Sequence, residues 1–404
     1  MNRRHCIAAT LVAAVAACLQ APALAQSSEY VVGILSPVTG AGAPYGPGMV
    51  KGVQLAIEEI NAAGGAQGAK FRGAVEDSQT SPQAAVLGAK KMIEVDKVHA
   101  ILGCWSSGES LAVIPLTNDA NIPLMHASGA PALSGAPVNA KKLGFRFQAT
   151  NGRFGQAFAQ IAKREGYKNA ATMAFNNASG VGNTEGFAQA WKAMGHSVAA
   201  SVVYEPNRPS YRSELQSVLR VKPDVIVTGS YLADTTIILR EWYQTGVDTH
   251  WIIPGWAANS DLLKALGPKV TDGIISVESV SNEEAPNYKH VVDALGKQGV
   301  DVAGNVYAPM AYDQAIILAL AVQALGPKAT GPELAAKMHE LGNKGGEVAY
   351  TYADGKKLLE AGKRVTYVGA SSALNFDEFN DVTPDFSASF AENGKLVRKY
   401  VVKL

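Results

Sequence analysis

Residues 98–110 read "VHAILGCWSSGES", an apolar run that passes directly into a turn of glycine, tryptophan and serine. The run is typical of a buried β-strand, and either serine, Ser106 or Ser107, is typical of the N-cap of a helix. A plain strand-to-helix connection needs only a turn and a cap. The indole of Trp105 beside two hydroxyl groups therefore indicates a second use for this turn, which the rest of the chain must explain.

The same strand-to-helix pattern is found in the segments before this turn. "YVVGILS" (30–36) and "FRGAVED" (71–77) predict strands, and a helical pattern follows each of them. The second of these helices has Ser81 as its predicted N-cap and Pro82 at its first position. Repeated alternation of this kind predicts a parallel sheet with helices on both faces.

A second series of alternating strands and helices starts near residue 150 and ends with "GIISVES" (273–279). The pattern is then mainly helical, until strand-like segments return from Val365. Two consecutive series predict an α/β protein with two similar lobes, and 404 residues suffice for two cores.

The first 25 residues are typical of an export signal. "MNRRH" is a basic start, "CIAATLVAAVAACL" is an apolar run, and "ALA" (23–25) predicts cleavage before Gln26. The alternative is a lipid anchor at Cys18, because "VAAC" fits a bacterial lipoprotein signal. Beyond this leader no segment has 18 or more uninterrupted apolar residues, so we expect a soluble exported protein.

Composition and motifs argue against several classes of function. The formal net charge is +1, and removing the two leader arginines leaves −1, so a nucleic-acid partner is not expected. Cys104 is the one cysteine after residue 25, which rules out an internal disulfide or a thiolate zinc site. HExxH, GxSxG and GxxxxGK[ST] are absent, and "GAGAPYG" (40–46) departs from the dinucleotide-binding spacing. We therefore expect no metal, no cofactor and no catalytic activity.

Distinctive loops follow six of the predicted strands. In open α/β sheets, ligands bind beyond the carboxyl ends of the strands, where these loops lie. The loops are rich in glycine and serine, four of them carry tyrosine or tryptophan, and together they predict a ligand cleft. They read "SPVTGAGAPYG", "GCWSSGES", "HASGAPALSG", "NNASGVGN", "GSYLAD" and "PGWAAN".

From about Tyr30 to its end the chain resembles the type I periplasmic substrate-binding proteins of the branched-chain amino acid ABC importers. The resemblance rests on several stretches in order: "GILSPVTGAGAPYGPGMVKGVQLAIEEINAAGG", "SPQAAVLGAKKMI", "ILGCWSSGES", "IPLMHASGAPAL", "YAPMAYDQA" and "GASSALNFDEFNDV". It implies two α/β lobes joined by three crossings, with a ligand bound between them. It also implies a monomer that closes like a hinge and docks on a membrane permease powered by ATPase subunits.

The resemblance places the three crossings near 147–151, 277–281 and 365–371. The expected division is therefore residues 26–149 with 281–367 for lobe 1, and 150–280 with 368–404 for lobe 2. Residues 1–25 would be the signal peptide.

The resemblance also implies which residues bind the ligand. In relatives, the loop after the third strand holds the ligand carboxylate, and Ser107 is the match to the family serine, with Trp105 as a wall. Tyr45 and Tyr231 match aromatic residues that close over the ligand from the two lobes. The full set of expected ligand-binding residues is Tyr45, Trp105, Ser106, Ser107, Ala127, Ser128, Gly129, Ser179, Tyr231 and Trp256.

The departures from the family concern the ligand ammonium. Gly129 stands where many relatives have a threonine, and Gly255 and Trp256 stand where amino-acid binders tend to have a carboxylate. The second-lobe tyrosine is also replaced, by Ser179 or Val181. The sequence thus predicts a carboxylate-binding half without a matching ammonium-binding half. We expect an aromatic or other non-amino acid to bind better than leucine, unless Asp234 supplies the charge.

Two other functions remain open at this point. A periplasmic sensor that presents its ligand to a signalling partner would have the same fold, and permease and ATPase genes beside this gene would favour transport. An α/β enzyme such as a hydrolase is the other alternative, and a ligand recovered unchanged after long incubation would argue against it.

Overall fold

Two β-sheets flanked by helices make up most of residues 29–404, the part of the chain that this computed structural model describes. The first sheet has five strands in the order β2-β1-β3-β4-β5, and all of its pairings are parallel. Its first elements are β1 (Glu29–Ser36), α1 (Gly46–Ala62), β2 (Lys70–Asp77), α2 (Pro82–Glu94), β3 (Ile101–Cys104), α3 (Ser107–Ala120), β4 (Leu124–His126) and β5 (Gly144–Arg146).

The second sheet has seven strands in the order β14-β13-β10-β9-β8-β6-β7. Its first five strands along the chain are parallel, whereas β13 and β14 pair antiparallel at one edge. Its elements are α4 (Asn151–Arg164), β6 (Ala170–Phe175), α5 (Ala178–Ala193), β7 (Val198–Tyr204), α6 (Arg212–Leu219), β8 (Val225–Gly229), α7 (Leu232–Thr245), β9 (His250–Pro254), α8 (Ser260–Leu266), α9 (Pro268–Thr271), β10 (Ile275–Ser279), β13 (Phe386–Glu392) and β14 (Lys395–Val402).

Between β10 and β13 the chain returns to the first sheet. This part consists of α10 (Pro286–Lys297), α11 (Tyr307–Leu325), α12 (Gly331–Gly342), β11 (Glu347–Ala349), α13 (Tyr352–Glu360) and β12 (Val365–Tyr367). Strands β11 and β12 form a separate two-stranded parallel sheet. The first unit therefore consists of residues 29–146 and the returning segment, and the second unit starts at α4.

Local sequence signals explain where the helices lie. Helix α2 begins as predicted, with the Ser81 hydroxyl accepting from the Ala84 N–H at 3.4 Å and a proline in the first turn. Helix α11 is apolar all round because it is buried on nearly every side. Among residues 29–404 it is the one helix long and apolar enough to span a membrane, and its burial makes it a core helix. The α/β class predicted from the sequence is confirmed.

The third crossing lies later in the chain than the sequence predicts. Residues 368–382, expected in the second lobe, contact the first unit instead: the Asp313 carboxylate accepts from the Ala370 N–H at 3.0 Å, and the Val382 N–H donates to the Arg146 carbonyl at 3.2 Å. The Val280 N–H then donates to the Asp385 carbonyl at 2.8 Å, just before β13. The chain thus crosses at 383–385, because buried polar groups hold the preceding irregular segment on the first unit.

The predicted leader, including the cleavage site before Gln26 and the alternative anchor at Cys18, lies outside the described residues. Cys104 is buried at the end of β3.

Candidate functional site

A small cavity lies between the two units, at the carboxyl ends of strands from both sheets. The tyrosine and tryptophan side chains around it are nearly inaccessible to solvent, so the structure is in a closed conformation. The cavity is lined by Trp105, Ser106, Ser107, Ala127, Gly129, Gln148, Ala149, Asn151, Phe154, Ser179, Tyr231, Trp256 and Tyr307.

Eight of the ten residues expected from the sequence line this cavity. The two others, Tyr45 and Ser128, lie directly behind the wall. Tyr45 stacks on Trp105 with ring centroids 5.5 Å apart. The Ser128 hydroxyl is within 3.1 Å of the Trp105 carbonyl and 3.0 Å of the Ser106 carbonyl, so it supports the loop that follows β3.

The start of helix α3 forms one end of the cavity. Ser106 is its N-cap: the Ser106 hydroxyl accepts from the Glu109 N–H at 3.3 Å, and the Ser106 N–H donates to the Glu109 carboxylate at 2.7 Å. The next residue, Ser107, accepts a hydrogen bond from the Ala130 N–H at 3.1 Å, which leaves its own hydroxyl proton available to donate. A free hydroxyl donor at a helix N-terminus suits an anion.

Gly129 contributes a backbone donor beside this hydroxyl. Within residues 29–404 its N–H has no hydrogen-bond acceptor, although its carbonyl accepts from the Asn151 N–H at 2.7 Å. A Cβ at this position would lie 1.9 Å from the Asn151 side-chain oxygen. A side chain at position 129 would therefore require the Asn151 side chain to move in the closed conformation.

Aromatic rings form the rest of the wall. Tyr231 and Tyr307 are neighbours of Trp105. The ring centroid of each tyrosine lies 5.8 Å from the ring centroid of Trp105. The Trp256 ring meets Phe154 edge-on at 5.0 Å. The indole N–H of Trp256 donates to the Ser230 carbonyl at 2.9 Å, so the indole offers the cavity an apolar surface.

One tyrosine links the two units directly. The Tyr45 hydroxyl donates to the Trp256 carbonyl at 3.0 Å and accepts from the Asn259 side-chain amide at 2.9 Å. Tyr45 lies in the first unit, and Trp256 and Asn259 lie in the second. Closure is thus supported by bonds that no ligand provides.

Two buried carboxylates near the cavity, Asp234 and Glu278, are engaged with protein groups. Asp234 accepts from the Tyr231 N–H at 3.0 Å and from the Tyr204 hydroxyl, and burial raises its pKa to about 7. It is the capping residue of helix α7 and does not line the cavity. The Asp234 carboxylate is therefore bonded to protein groups and is not placed to pair with a ligand ammonium.

Glu278 lies one side chain away from the cavity, at the second crossing. Its carboxylate accepts from the Gln148 amide at 3.3 Å, the Tyr307 hydroxyl at 3.3 Å and the Ser279 N–H at 2.9 Å. Burial raises the pKa of Glu278 to about 7. Its contacts place Gln148 and Tyr307 between the carboxylate and the cavity.

Five lining residues were missed by the sequence reasoning. Two of them, Gln148 and Ala149, lie on the first crossing, and Asn151 and Phe154 lie in the first turns of α4. Tyr307 begins α11, far from any strand-to-helix loop. The signal for Gln148, Ala149 and Asn151 was present, because "FQATN" (147–151) was expected to be a crossing and crossings border the cleft. Tyr307 opens the stretch "YAPMAYDQA", but nothing local marks it as a cavity residue.

Comparison with known proteins agrees with this architecture. The chain is 24% identical over 353 residues to a leucine-, isoleucine-, valine-, threonine- and alanine-binding protein of Pseudomonas aeruginosa. The aligned region covers 87% of this chain and 86% of the relative. Among solved structures, a leucine binding protein from Thermotoga maritima superposes with a TM-score of 0.79 at 20% identity, covering 93% of this chain and 99% of the other.

A solute-binding protein of an ABC transporter from R. palustris, solved in complex with benzoate, superposes with a TM-score of 0.74 at 19% identity. The superposition covers 93% of this chain and 96% of the R. palustris protein. These relatives and neighbours are binding proteins, and this chain is likewise a binding protein and not an enzyme. A family model described as a periplasmic binding protein matches residues 29–368. The closed cavity between two α/β units and this match over most of the chain show together that the protein belongs to the periplasmic binding protein family.

Proposed function

We propose that this protein is the solute-binding component of an ABC importer and that it binds one small carboxylate-bearing molecule between its two units. The closed cavity supports the proposal, with the Ser107 hydroxyl and the Gly129 N–H at one end and aromatic rings around the rest. Most of the residues that line the cavity are buried, so a single small molecule suits it better than a peptide.

An aromatic or other non-amino acid is the ligand class that we favour. Among the described residues, the side chains that line the cavity include no carboxylate. Burying an unpaired ammonium costs several kcal/mol, whereas rings such as those of Trp105 and Trp256 offer stacking area to a flat apolar group. The relatives include both ligand classes by name, since one is a leucine-binding protein and another was solved with benzoate.

The competing ligand is a branched-chain or other hydrophobic amino acid. It requires a counter-charge for its ammonium, and Glu278 is the best candidate because two of its bonding partners line the cavity. Glu278→Gln separates the two ligand classes. Removing that carboxylate would abolish amino-acid binding but leave the affinity for an aromatic acid nearly unchanged.

The mechanism is binding coupled to closure. The two units behave as lobes that rotate about the three crossings, and a ligand that contacts both lobes favours the closed state by that difference in contacts. The closed protein then docks on the membrane permease. The family implies a periplasmic location, and we propose that export uses residues 1–25 as a signal peptide cleaved before Gln26. An intact mass that instead begins at a diacylated Cys18 would exclude this cleavage.

Native mass spectrometry of freshly purified protein tests the proposed function. We expect a co-purified small carboxylic acid, present at one molecule per chain and unchanged after long incubation. A bound ligand that lacks a carboxylate, or one that is chemically converted, would contradict the proposal.

A further inference from the structure

Arg146, the last residue of β5, is completely buried although it does not line the cavity. Its Nε donates to the Asp381 carboxylate at 2.8 Å. The two terminal nitrogens of the guanidinium reach the loop after β4: one donates to the Ser128 carbonyl, and the other donates to the Ala130 carbonyl at 3.0 Å. The Arg146 side chain therefore binds this loop through two carbonyl groups, those of Ser128 and Ala130, on either side of Gly129.

The Ser128 carbonyl fixes the direction of the N–H that follows it. In a planar trans peptide the N–H points away from the preceding carbonyl. With the Ser128 carbonyl held by the guanidinium, the Gly129 N–H points away from Arg146, and Gly129 lines the cavity. The next N–H, that of Ala130, donates to the Ser107 hydroxyl, so the loop that Arg146 binds also contacts the second proposed anion donor.

All the groups in this arrangement belong to the first unit. Asp381 lies in the segment 368–382, which is tied to β5 by the Arg146 N–H donating to the Asn380 carbonyl at 2.9 Å. Ser134 completes the arrangement, since its hydroxyl donates to Asp381 at 2.6 Å and accepts from Arg146 at 3.0 Å. The Gly129 N–H is therefore already aligned before the second unit closes.

If Arg146 served only to stabilise the fold, its charge would not be required. A buried ion pair is often no more stabilising than apolar residues of similar volume, because both charges lose their hydration. A guanidinium bonded to the Ser128 carbonyl does, however, polarise the peptide unit that carries the Gly129 N–H, which strengthens that N–H as a donor. This effect favours an anionic ligand over a neutral ligand of the same shape.

We infer that Arg146, held by Asp381, is a positioning residue that aims and polarises the donors for the ligand carboxylate and so selects charged ligands over neutral ones. This role rests on the proposed function, in which the donors bind a carboxylate. Lysine cannot replace arginine here, because a single ammonium cannot reproduce the planar fork that spans two carbonyls and a carboxylate.

The test compares benzoate with benzamide, which have nearly the same shape but differ in charge. Dissociation constants for both are measured by calorimetry on the full chain, for the wild type, Arg146→Lys and Asp313→Asn. In Arg146→Lys we expect benzoate to bind about tenfold or more weakly, and benzamide to change less than about threefold. Asp313→Asn is the matched control: it removes another buried charge that holds the segment 368–382, and it should leave the ratio of the two constants unchanged.

Ser134→Ala provides a milder variant should Arg146→Lys fail to fold. This variant removes a hydroxyl group that bonds to both Arg146 and Asp381. It should lower the preference for benzoate over benzamide by about threefold. Adding Ser107→Ala to either variant should cost less than it does in the wild type, because the donors are already misaligned. Equal losses for both ligands in folded variants, or an unchanged ratio, would overturn the role of Arg146 alone. A wild type that binds neither benzoate nor any other carboxylate would overturn the proposed function as well.

Discussion

At the scale of single residues, the Ser107 hydroxyl is the most specific element of the site. It accepts from the Ala130 N–H and lies in the first turn of α3, so its proton is directed by a bond within the protein and its position by a helix. Neighbouring Ser106 caps the same helix by accepting from the Glu109 N–H, and its own proton is likewise left to donate toward the cavity that it lines. Ser107 is the better candidate for the anchor because it does not also cap the helix.

Ser107→Ala should weaken ligand binding by about ten- to a hundredfold. A hydrogen bond to a charged group contributes roughly 1.5–3 kcal/mol, and the alanine leaves the ligand carboxylate with one donor fewer. Calorimetry with benzoate measures the change. Ser217→Ala, which removes an exposed serine of α6 that does not line the cavity, serves as the control and should not alter the affinity. Equal affinities for wild type and Ser107→Ala would place the anchor elsewhere.

Glu278 predicts a dependence of stability on pH. Its pKa is about 7 in the folded protein against 4.5 for an ordinary glutamate, so the folded state holds a proton that the unfolded state releases between these values. The free energy of unfolding therefore falls as the pH rises from about 4.5 to about 7. Each pKa unit corresponds to about 1.4 kcal/mol, which sets an upper limit of roughly 3 kcal/mol.

Glu278→Gln should remove the part of this dependence that Glu278 contributes, whereas Asp234, whose pKa burial also raises to about 7, keeps its own part. The variant should raise the melting temperature at pH 8 and leave it nearly unchanged at pH 4. Thermal unfolding of the wild type and the variant across this pH range measures the dependence of stability on pH. Glu284→Gln, an exposed residue of the same segment, is the control and should retain the wild-type profile. If the profiles of Glu278→Gln and the wild type run parallel, the carboxyl does not titrate in the window that its burial implies.

At the scale of elements, the contact between the loop after β4 and the start of α4 limits how far the units can close. The Gly129 carbonyl and the Asn151 N–H are 2.7 Å apart, and the Asn151 side chain fills the space where a Cβ would lie. Asn151 is anchored in turn, since its amide donates to the Ala178 carbonyl at 3.1 Å at the start of α5. Three elements from both units thus meet at one glycine.

Gly129→Ala should therefore oppose closure more than it opposes folding. A methyl group 1.9 Å from the Asn151 oxygen must displace the Asn151 side chain, and overpacking of this kind costs about 1–3 kcal/mol, or at least about fivefold in affinity. Ligand titration and thermal unfolding of the free protein measure the two effects separately. The double variant Gly129→Ala, Asn151→Ala relieves the clash and should recover part of the affinity. A loss of stability as large as the loss of binding would show that the glycine serves the fold alone.

The elements themselves could be predicted because their signals are local. Alternating apolar runs, the Ser81 cap and the loops after the strands all act within a few residues, and the structure agrees with them. The position of the third crossing could not be predicted, because segment 368–382 has no regular structure and is held by Asp313 and Arg146, which are far away in sequence. Tyr307 was missed for the same reason: only the packed fold brings the start of α11 to the cavity.

At the scale of the whole molecule, the structure describes a closed state in which the two units already touch. Tyr45 bonds to Trp256 and Asn259 across the cleft, and Trp105 lies against Tyr231. Bonds of this kind exist only when the units are together, so they add to whatever the ligand contributes. The balance between open and closed states is thus set jointly by the protein and its ligand.

Solution scattering should show a smaller radius of gyration when ligand is added to protein freed of ligand. The change should be lost when Tyr45 and Tyr231 are both replaced by alanine, because the contacts across the cleft are then missing. Tyr45→Phe keeps the ring against Trp105 and removes the hydroxyl bonds, so it should close with about two- to tenfold weaker affinity. A wild-type radius that does not respond to saturating ligand would argue for a rigid molecule.

The class of ligand is the central claim, and a thermal-shift panel tests it most directly. Protein freed of ligand by unfolding and refolding is heated with leucine, isoleucine or valine and, in parallel, with benzoate-type acids and 2-oxo acids. The cavity has aromatic walls, donors for a carboxylate and no lining carboxylate for an ammonium among the described residues, so at least one non-amino acid should raise the melting temperature more than any of the three amino acids. A larger shift with leucine than with every non-amino acid would contradict the account, and Glu278 and Asp234 would then be the first residues to replace.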